Sequence, residues 1–154
     1  MGKCTIYLNT LKDTKIFGRL LAKHALPGDI ICLSGDLGAG KTALTQEIAK
    51  GLGVPESCYV TSPTFSILQK YPGEIPLYHM DFYRLSDETE VEDLGFEEFF
   101  YLSGLTVIEW SERAGSLIPV TRLKLKITIE GEDTRKVIVD FGKGSWEERL
   151  RLDL

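Results

Sequence analysis

Residues 35–42 read Gly-Asp-Leu-Gly-Ala-Gly-Lys-Thr, an instance of the pattern G-x-x-x-x-G-K-S/T, and no other stretch restricts what this chain can become as strongly. Glycines at this spacing let the backbone wrap a phosphate chain with successive N–H groups pointing inward. The lysine, Lys41, then reaches the β- and γ-phosphates, and the Thr42 hydroxyl is a Mg²⁺ ligand. Gly35, Asp36, Leu37, Gly38, Ala39, Gly40, Lys41, Thr42 and Ala43 are therefore the candidate phosphate-binding residues. The flanks have the required order: Asp29 to Ser34 is a short apolar run of buried-strand type, and Ala43 to Leu52 reads as a helix. A helix start at this point adds its dipole and unpaired N–H groups to an anion site.

The chain has 154 residues, 43% of them hydrophobic, enough for one sizeable core and too few for two ordinary domains. One domain over residues 1–154 is expected. Eighteen Lys and Arg stand against 23 Asp and Glu, a formal net charge of −5. That balance argues against strong nucleic-acid binding, which rests on neutralising phosphates, and leaves room only for a local basic patch. Cys4, Cys32 and Cys58 form no C-x-x-C pair of the zinc or redox kind, and Cys32 is expected to pack as a small apolar residue. No signal sequence, transit segment or long apolar run is present, so a cytoplasmic protein with no membrane partner is expected.

Along the chain, Cys4 to Leu8 alternates as an edge strand does, Thr10 is a candidate N-cap for a helix over Leu11 to Ala25, and Leu26-Pro27-Gly28-Asp29 stops that helix. Phe65 to Tyr71 and Ile75 to Tyr83 flank Pro72-Gly73-Glu74 as a hairpin, and Leu123 to Ile129 and Lys136 to Phe141 do the same around Gly131-Glu132-Asp133. Asp87 to Asp93 opens a short acidic helix, Leu105 to Glu109 is a buried strand, and Trp146 to Leu152 is an amphipathic end. The fold class expected is α/β: a P-loop NTPase fold whose central sheet is mostly parallel, flanked by helices, with antiparallel hairpin additions.

P-loop enzymes use a carboxylate at the end of a neighbouring strand to hold Mg²⁺. Glu109 ends the cleaner buried strand and is assigned to the metal; Asp81 is assigned to positioning or deprotonating the attacking water, and the reverse assignment stays open. Ser62-Pro63-Thr64 stands where small P-loop switches sense the γ-phosphate, so Thr64 is a candidate for that role and a plain Ser-Pro turn is the other reading. His79 reads as a packed core residue, and for Trp110 packing is favoured over a place near the nucleotide. Arg84 and Arg113 suit phosphate contacts or surface ion pairs equally.

Taken together, GDLGAGKT at 35–42, SPT at 62–64, HMDFYRL at 79–85 and the pair Glu109-Trp110 resemble the bacterial TsaE (YjeE) family in order, spacing and chain length. The resemblance covers residues 10 to 115, and the C-terminal hairpin adds little to it. It implies an ATPase required for making threonylcarbamoyladenosine in tRNA, working with TsaD and TsaB, which carry out the transfer. It also implies phosphate and Mg²⁺ contacts from Gly38, Gly40, Lys41 and Thr42, a metal carboxylate at Glu109, a second catalytic acid at Asp81 and a stronger case for Thr64. Nucleotide contacts at Thr10, Leu11 and Glu112 follow from the resemblance alone.

Three functions remain in view. The leading one is a slow ATPase coupled to a partner complex. A small-molecule phosphotransferase would use the same loop, Mg²⁺ and acids, but no Arg-rich lid segment is evident to exclude water. A nucleotide-gated binding module with incidental hydrolysis is the third. The lack of an N-K-x-D guanine-reading motif tilts the nucleotide toward ATP.

Overall fold

In the computed structural model, which describes residues 2–63, 65–101 and 103–154, seven strands form one mixed sheet in the order β1-β7-β6-β2-β5-β4-β3. The strands are β1 Lys3–Leu8, β2 Ile30–Ser34, β3 Leu68–Tyr71, β4 Leu77–Asp81, β5 Leu105–Glu109, β6 Leu123–Ile129 and β7 Arg135–Asp140. Strands β6, β2, β5 and β4 run parallel to their neighbours, whereas β1, β7 and β3 are joined antiparallel. The sheet is thus less parallel than expected, because the last hairpin does not sit outside it. Its strand β6 pairs directly with β2, the strand that feeds the glycine loop.

The two middle strands explain why their sequences carry no alternation. In β2 the residues Ile30 to Leu33 are all buried, as are all five residues of β5, because helical layers cover both faces. On one face Ile31, Leu33, Val107 and Leu125 pack under α1 (Leu11–His24), α2 (Lys41–Gly51) and α4 (Trp146–Leu150). On the other, Ile30, Cys32, Met80 and Ile108 meet Val91 of α3 (Glu88–Asp93), Phe100 and Ala114. Each fully buried Leu or Ile contributes on the order of 1.5–3 kcal/mol. In β6 and β7, by contrast, Leu123, Leu125, Ile127, Val137 and Val139 point inward and alternate with outward residues that are polar except for Ile138, since only one face is covered there.

Local signals set the helix ends. The Thr10 hydroxyl accepts a hydrogen bond from the Asp13 N–H, and the Asp13 carboxylate accepts one from Asn9 N–H, a reciprocal cap that starts α1 at the expected residue. The helix ends at His24, one residue early, where Ala25 turns extended ahead of Pro27. Asp87 caps α3 through the Glu90 N–H. Helix α2 begins at Lys41 rather than Ala43, so Lys41 and Thr42 lie in its first turn. Among the described residues no helix is long and apolar enough to cross a membrane.

Candidate functional site

The C-terminal ends of three parallel strands meet at the glycine loop. Leu33 of β2 is in register with Glu109 of β5, and Glu109 is in register with Asp81 of β4, so the loop that follows β2 opens beside two carboxylates. Ligands of open α/β sheets bind beyond such carboxyl ends. The hollow here is about 380 Å³. Leu37, Gly38, Gly40, Lys41, Thr42 and Ala43 form its glycine-loop wall; Ser62, Asp81, Tyr83, Glu109 and Trp110 form the other. A separate hollow of about 290 Å³ beside Gln46, Lys50, Cys58 and Tyr59 contains neither the loop nor a strand-end carboxylate.

Backbone geometry makes the loop. Gly40 caps α2 at φ 107°, in the left-handed region that favours glycine, and frees the first-turn N–H groups to face the hollow. Gly35 is required by proximity, since a Cβ there would stand 2.5 Å from the Ile127 carbonyl oxygen of β6. The Lys41 ammonium, nearly buried, donates to the carbonyls of Gly35 and Asp36 and lies 5.0 Å from the centre of the Trp110 ring. Ala39 holds the loop from beneath: its N–H bonds Asp36 O and its carbonyl accepts from Arg135 Nε at 3.0 Å. Thus Gly35, Asp36 and Ala39 shape the loop, while its other residues line the hollow.

Both acids are almost wholly buried, each at 3% exposure, and each has its own support. The Ser62 hydroxyl donates to Asp81 Oδ2 at 2.6 Å, and the Tyr83 N–H donates to Asp81 Oδ1 at 2.9 Å. Glu109 Oε2 lies 2.7 Å from His79 Nε2, with the ring fully buried. The other ring nitrogen, Nδ1, is buried with no partner among the described residues. Such an atom costs about 1–3 kcal/mol, so the contact to Glu109 is held at the expense of stability. His79 is therefore a packed core residue that also touches the site.

Trp110 departs from the expectation that it simply packs. It follows Glu109 with φ 59°, a left-handed turn that swings the half-buried ring into the hollow, where Tyr83 lies 5.0 Å away centre to centre. Its place directly after the strand-end acid was the available signal. Arg135 had none, because its partner Ala39 is 96 residues distant. Thr10 and Leu11 do not line the hollow; they follow β1, whose Leu8 is in register with Arg135. Glu112 lines a neighbouring cavity with Ser34, Ser111 and Lys124. Thr64 lies outside the described residues. Arg113 approaches the Trp110 ring at 5.8 Å, and Arg84 lies over Phe65 at 5.1 Å. Cys32 packs in the second core, where burial pushes its thiol up to about 11 against a weaker opposing hydrogen bond from Ser111.

This arrangement lies within a stretch that known proteins share. A family model described as "Threonylcarbamoyl adenosine biosynthesis protein TsaE" matches residues 8–137. The chain belongs to the TsaE family. The matched stretch runs past residue 115 through β6 and into β7, so the C-terminal hairpin belongs to the family likeness after all. The tRNA threonylcarbamoyladenosine biosynthesis protein TsaE of Bacillus subtilis (strain 168) is 44% identical over 127 residues, 82% of this chain and 78% of that protein. Its counterpart from Treponema pallidum (strain Nichols) is 37% identical over 128 residues, 83% of this chain and 93% of that one. The crystal structure of Bacillus subtilis YdiB superposes with a TM-score of 0.83 at 34% identity, covering 99% of this chain and 97% of that one. The matched family and these relatives are named for tRNA threonylcarbamoyladenosine biosynthesis.

Proposed function

We propose that this TsaE-family chain has a P-loop NTPase fold, binds ATP with Mg²⁺ and hydrolyses it slowly in the cytoplasm. In this reading it serves threonylcarbamoyladenosine formation by acting on a complex of TsaD and TsaB rather than by transferring the group itself. The observation that carries the reading is the convergence of the Lys41 ammonium, the Thr42 hydroxyl, Asp81 and Glu109 on one hollow at the carboxyl end of the sheet.

The donors suit Mg²⁺. Thr42 and Glu109 offer hard oxygen ligands on opposite walls. Among the described residues no three His, Cys, Asp or Glu side chains form a metal site alone. Mg²⁺ characteristically takes one or two protein oxygens and completes its octahedron with phosphate and water. When bound it neutralises charge on the β- and γ-phosphates. The chain's residues do the rest. Lys41 exchanges its Gly35 and Asp36 carbonyls for phosphate oxygens, and the first-turn N–H groups of α2 accommodate the remaining charge. Glu109, fixed by His79, presents its carboxylate to the metal side, while Asp81, fixed by Ser62 and Tyr83, orients the attacking water and takes its proton. The side chains of Trp110 and Tyr83 wall that region from solvent.

The deciding experiment is calorimetric titration of Mg-ATP into wild type and Lys41→Ala, together with phosphate release alone and with TsaD and TsaB. The expected result is tight binding lost in the variant and turnover raised by the partners. Unchanged ATP affinity in Lys41→Ala overturns the nucleotide site. Transfer of phosphate to a hydroxyl compound in place of release to water replaces the ATPase reading with the phosphotransferase one.

A further inference from the structure

The α3 side of the sheet is covered over only half its width. The second core takes residues from β2, β4 and β5 and none from β6, β7 or β1, so the outward positions of those three strands stay open. Register sets them in rows: Lys3, Asp140 and Lys124; Thr5, Ile138 and Lys126; Tyr7, Lys136 and Thr128. At one end Arg122 and Lys143 line a cavity with Lys3 and Asp140. With Glu112, which shares a cavity with Lys124, this face therefore holds six cations and two acids. That is a surplus of four, so the remainder of a chain whose net charge is −5 carries −9. Among the described residues none of Lys3, Lys124, Lys126, Lys136 or Lys143 is in an ion pair, and Asp140 is already bonded to Arg122.

We infer that the open face of β6, β7 and β1 binds the sugar-phosphate backbone of RNA. A face that merely stays soluble mixes both signs of charge evenly, whereas here cations outnumber acids three to one. Protein-binding surfaces enrich aromatics and arginine and are depleted in lysine, whereas this face is built on lysines with a single aromatic, Tyr7, 55% exposed. Lysine is a mobile point charge that suits phosphates whose sequence is not read. Lys124 and Lys126 stand two residues apart on one strand, about 7 Å, so flexible stems can meet successive phosphates. Beside this face the covered half carries seven acids between Asp87 and Glu98, so the field turns from positive to negative across one side of the sheet and orients a polyanion. The inference does not depend on the nucleotide site.

The test is fluorescence anisotropy of a labelled, unmodified tRNA transcript with the full chain across 25–200 mM salt. Wild type is expected to bind weakly, with a log affinity against log salt slope of about −3 to −4. Lys124→Glu with Lys126→Glu should lower affinity at least tenfold and flatten the slope by about 2. A Gln version of the pair, checked by thermal melting, separates lost charge from lost folding. Lys15→Glu with Lys23→Glu, on α1 across the sheet, should change neither quantity more than twofold. No binding at 25 mM salt, or equal losses in the α1 pair, overturns the inference. So does polyglutamate competing as strongly as RNA, which would assign the face to an acidic protein.

Discussion

Asp81 and Glu109 are register partners on adjacent parallel strands, and each carboxylate is held by a group outside the pair: Asp81 by Ser62 and the Tyr83 amide, Glu109 by His79. Two buried acids this close would repel one another if nothing else faced them. The Lys41 ammonium and a hydrated cation are the compensating charges that the proposed function places opposite.

Their separate supports predict separate phenotypes. Asp81→Ala should lower ATP turnover by roughly 100-fold or more while leaving Mg-ATP affinity within about threefold, as expected when transition-state stabilisation alone is lost. Glu109→Ala should raise the Mg²⁺ concentration for half-maximal turnover, and His79→Gln should raise it by roughly 10-fold, since groups that orient a metal ligand carry effects of that size. Turnover measured over a Mg²⁺ series checks both; a Mg²⁺ effect from Asp81→Ala with none from Glu109→Ala exchanges the two roles.

Arg135 joins the C-terminal hairpin to the glycine loop. Its Nε holds Ala39 O, and one guanidinium nitrogen holds the carbonyls of Gly131, Glu132 and Thr134. Arg135→Lys retains the charge and loses the fork. Weakened ATP binding, by about 3- to 10-fold, with thermal stability reduced by roughly 1–2 kcal/mol is expected. Calorimetry and denaturant melts measure the two quantities, and an unchanged ATP affinity would remove Arg135 from the site.

The elements legible in advance were those whose signals are local. The Thr10 cap, the apolar runs of β2 and β5 and both hairpins lie where periodicity and turn residues put them. What the chain alone does not display is pairing across the sheet. The sequence around Leu123 alternates identically whether its hairpin hangs off an edge or inserts beside β2, and only the packing under α1 and α4 decides. The same holds for the site. Residues in contiguous motifs stand out as candidates from the chain alone, whereas the Arg135 contact and the His79 support of Glu109 depend on strands distant in sequence. Trp110 was visible as a residue, and its role turned on one left-handed backbone angle.

Cys32 gives a pH prediction independent of function. Its thiol, pushed up to about 11 by burial, stays protonated in the folded chain where an unfolded thiol near 9.0 ionises. Because the folded value is the higher one, the stabilisation is complete below about pH 9 and is lost as pH rises toward 11. Two units correspond to on the order of 2–3 kcal/mol. Urea melts at intervals from pH 8 to 11 should show wild type losing more stability than Cys32→Ala by that amount; parallel decline would show that the thiol is not responsible.

The last prediction concerns what the proposed ATP hydrolysis is for. Ser62 touches Asp81, and Gln46 of α2 holds the Val60 carbonyl just before it, so the 60–63 segment is tied both to the helix that begins at Lys41 and to the proposed water-positioning acid. Exposed Tyr59 and Phe65 bracket that segment and offer apolar surface to a partner. If the γ-phosphate orders this segment, a TsaD and TsaB complex that prefers the ATP-bound form must, by linkage, tighten ATP binding by the same factor. A tenfold preference corresponds to about 1.4 kcal/mol of coupling. Binding of the complex should therefore be strongest with a non-hydrolysable ATP analogue, weaker with ADP and weakest without nucleotide. Asp81→Ala, which retains ATP without cleaving it, should remain on the complex longer than wild type when both are supplied with ATP. Equal affinity in all three nucleotide states would leave no differential free energy for a switch, and hydrolysis would then need a purpose other than release of the partner.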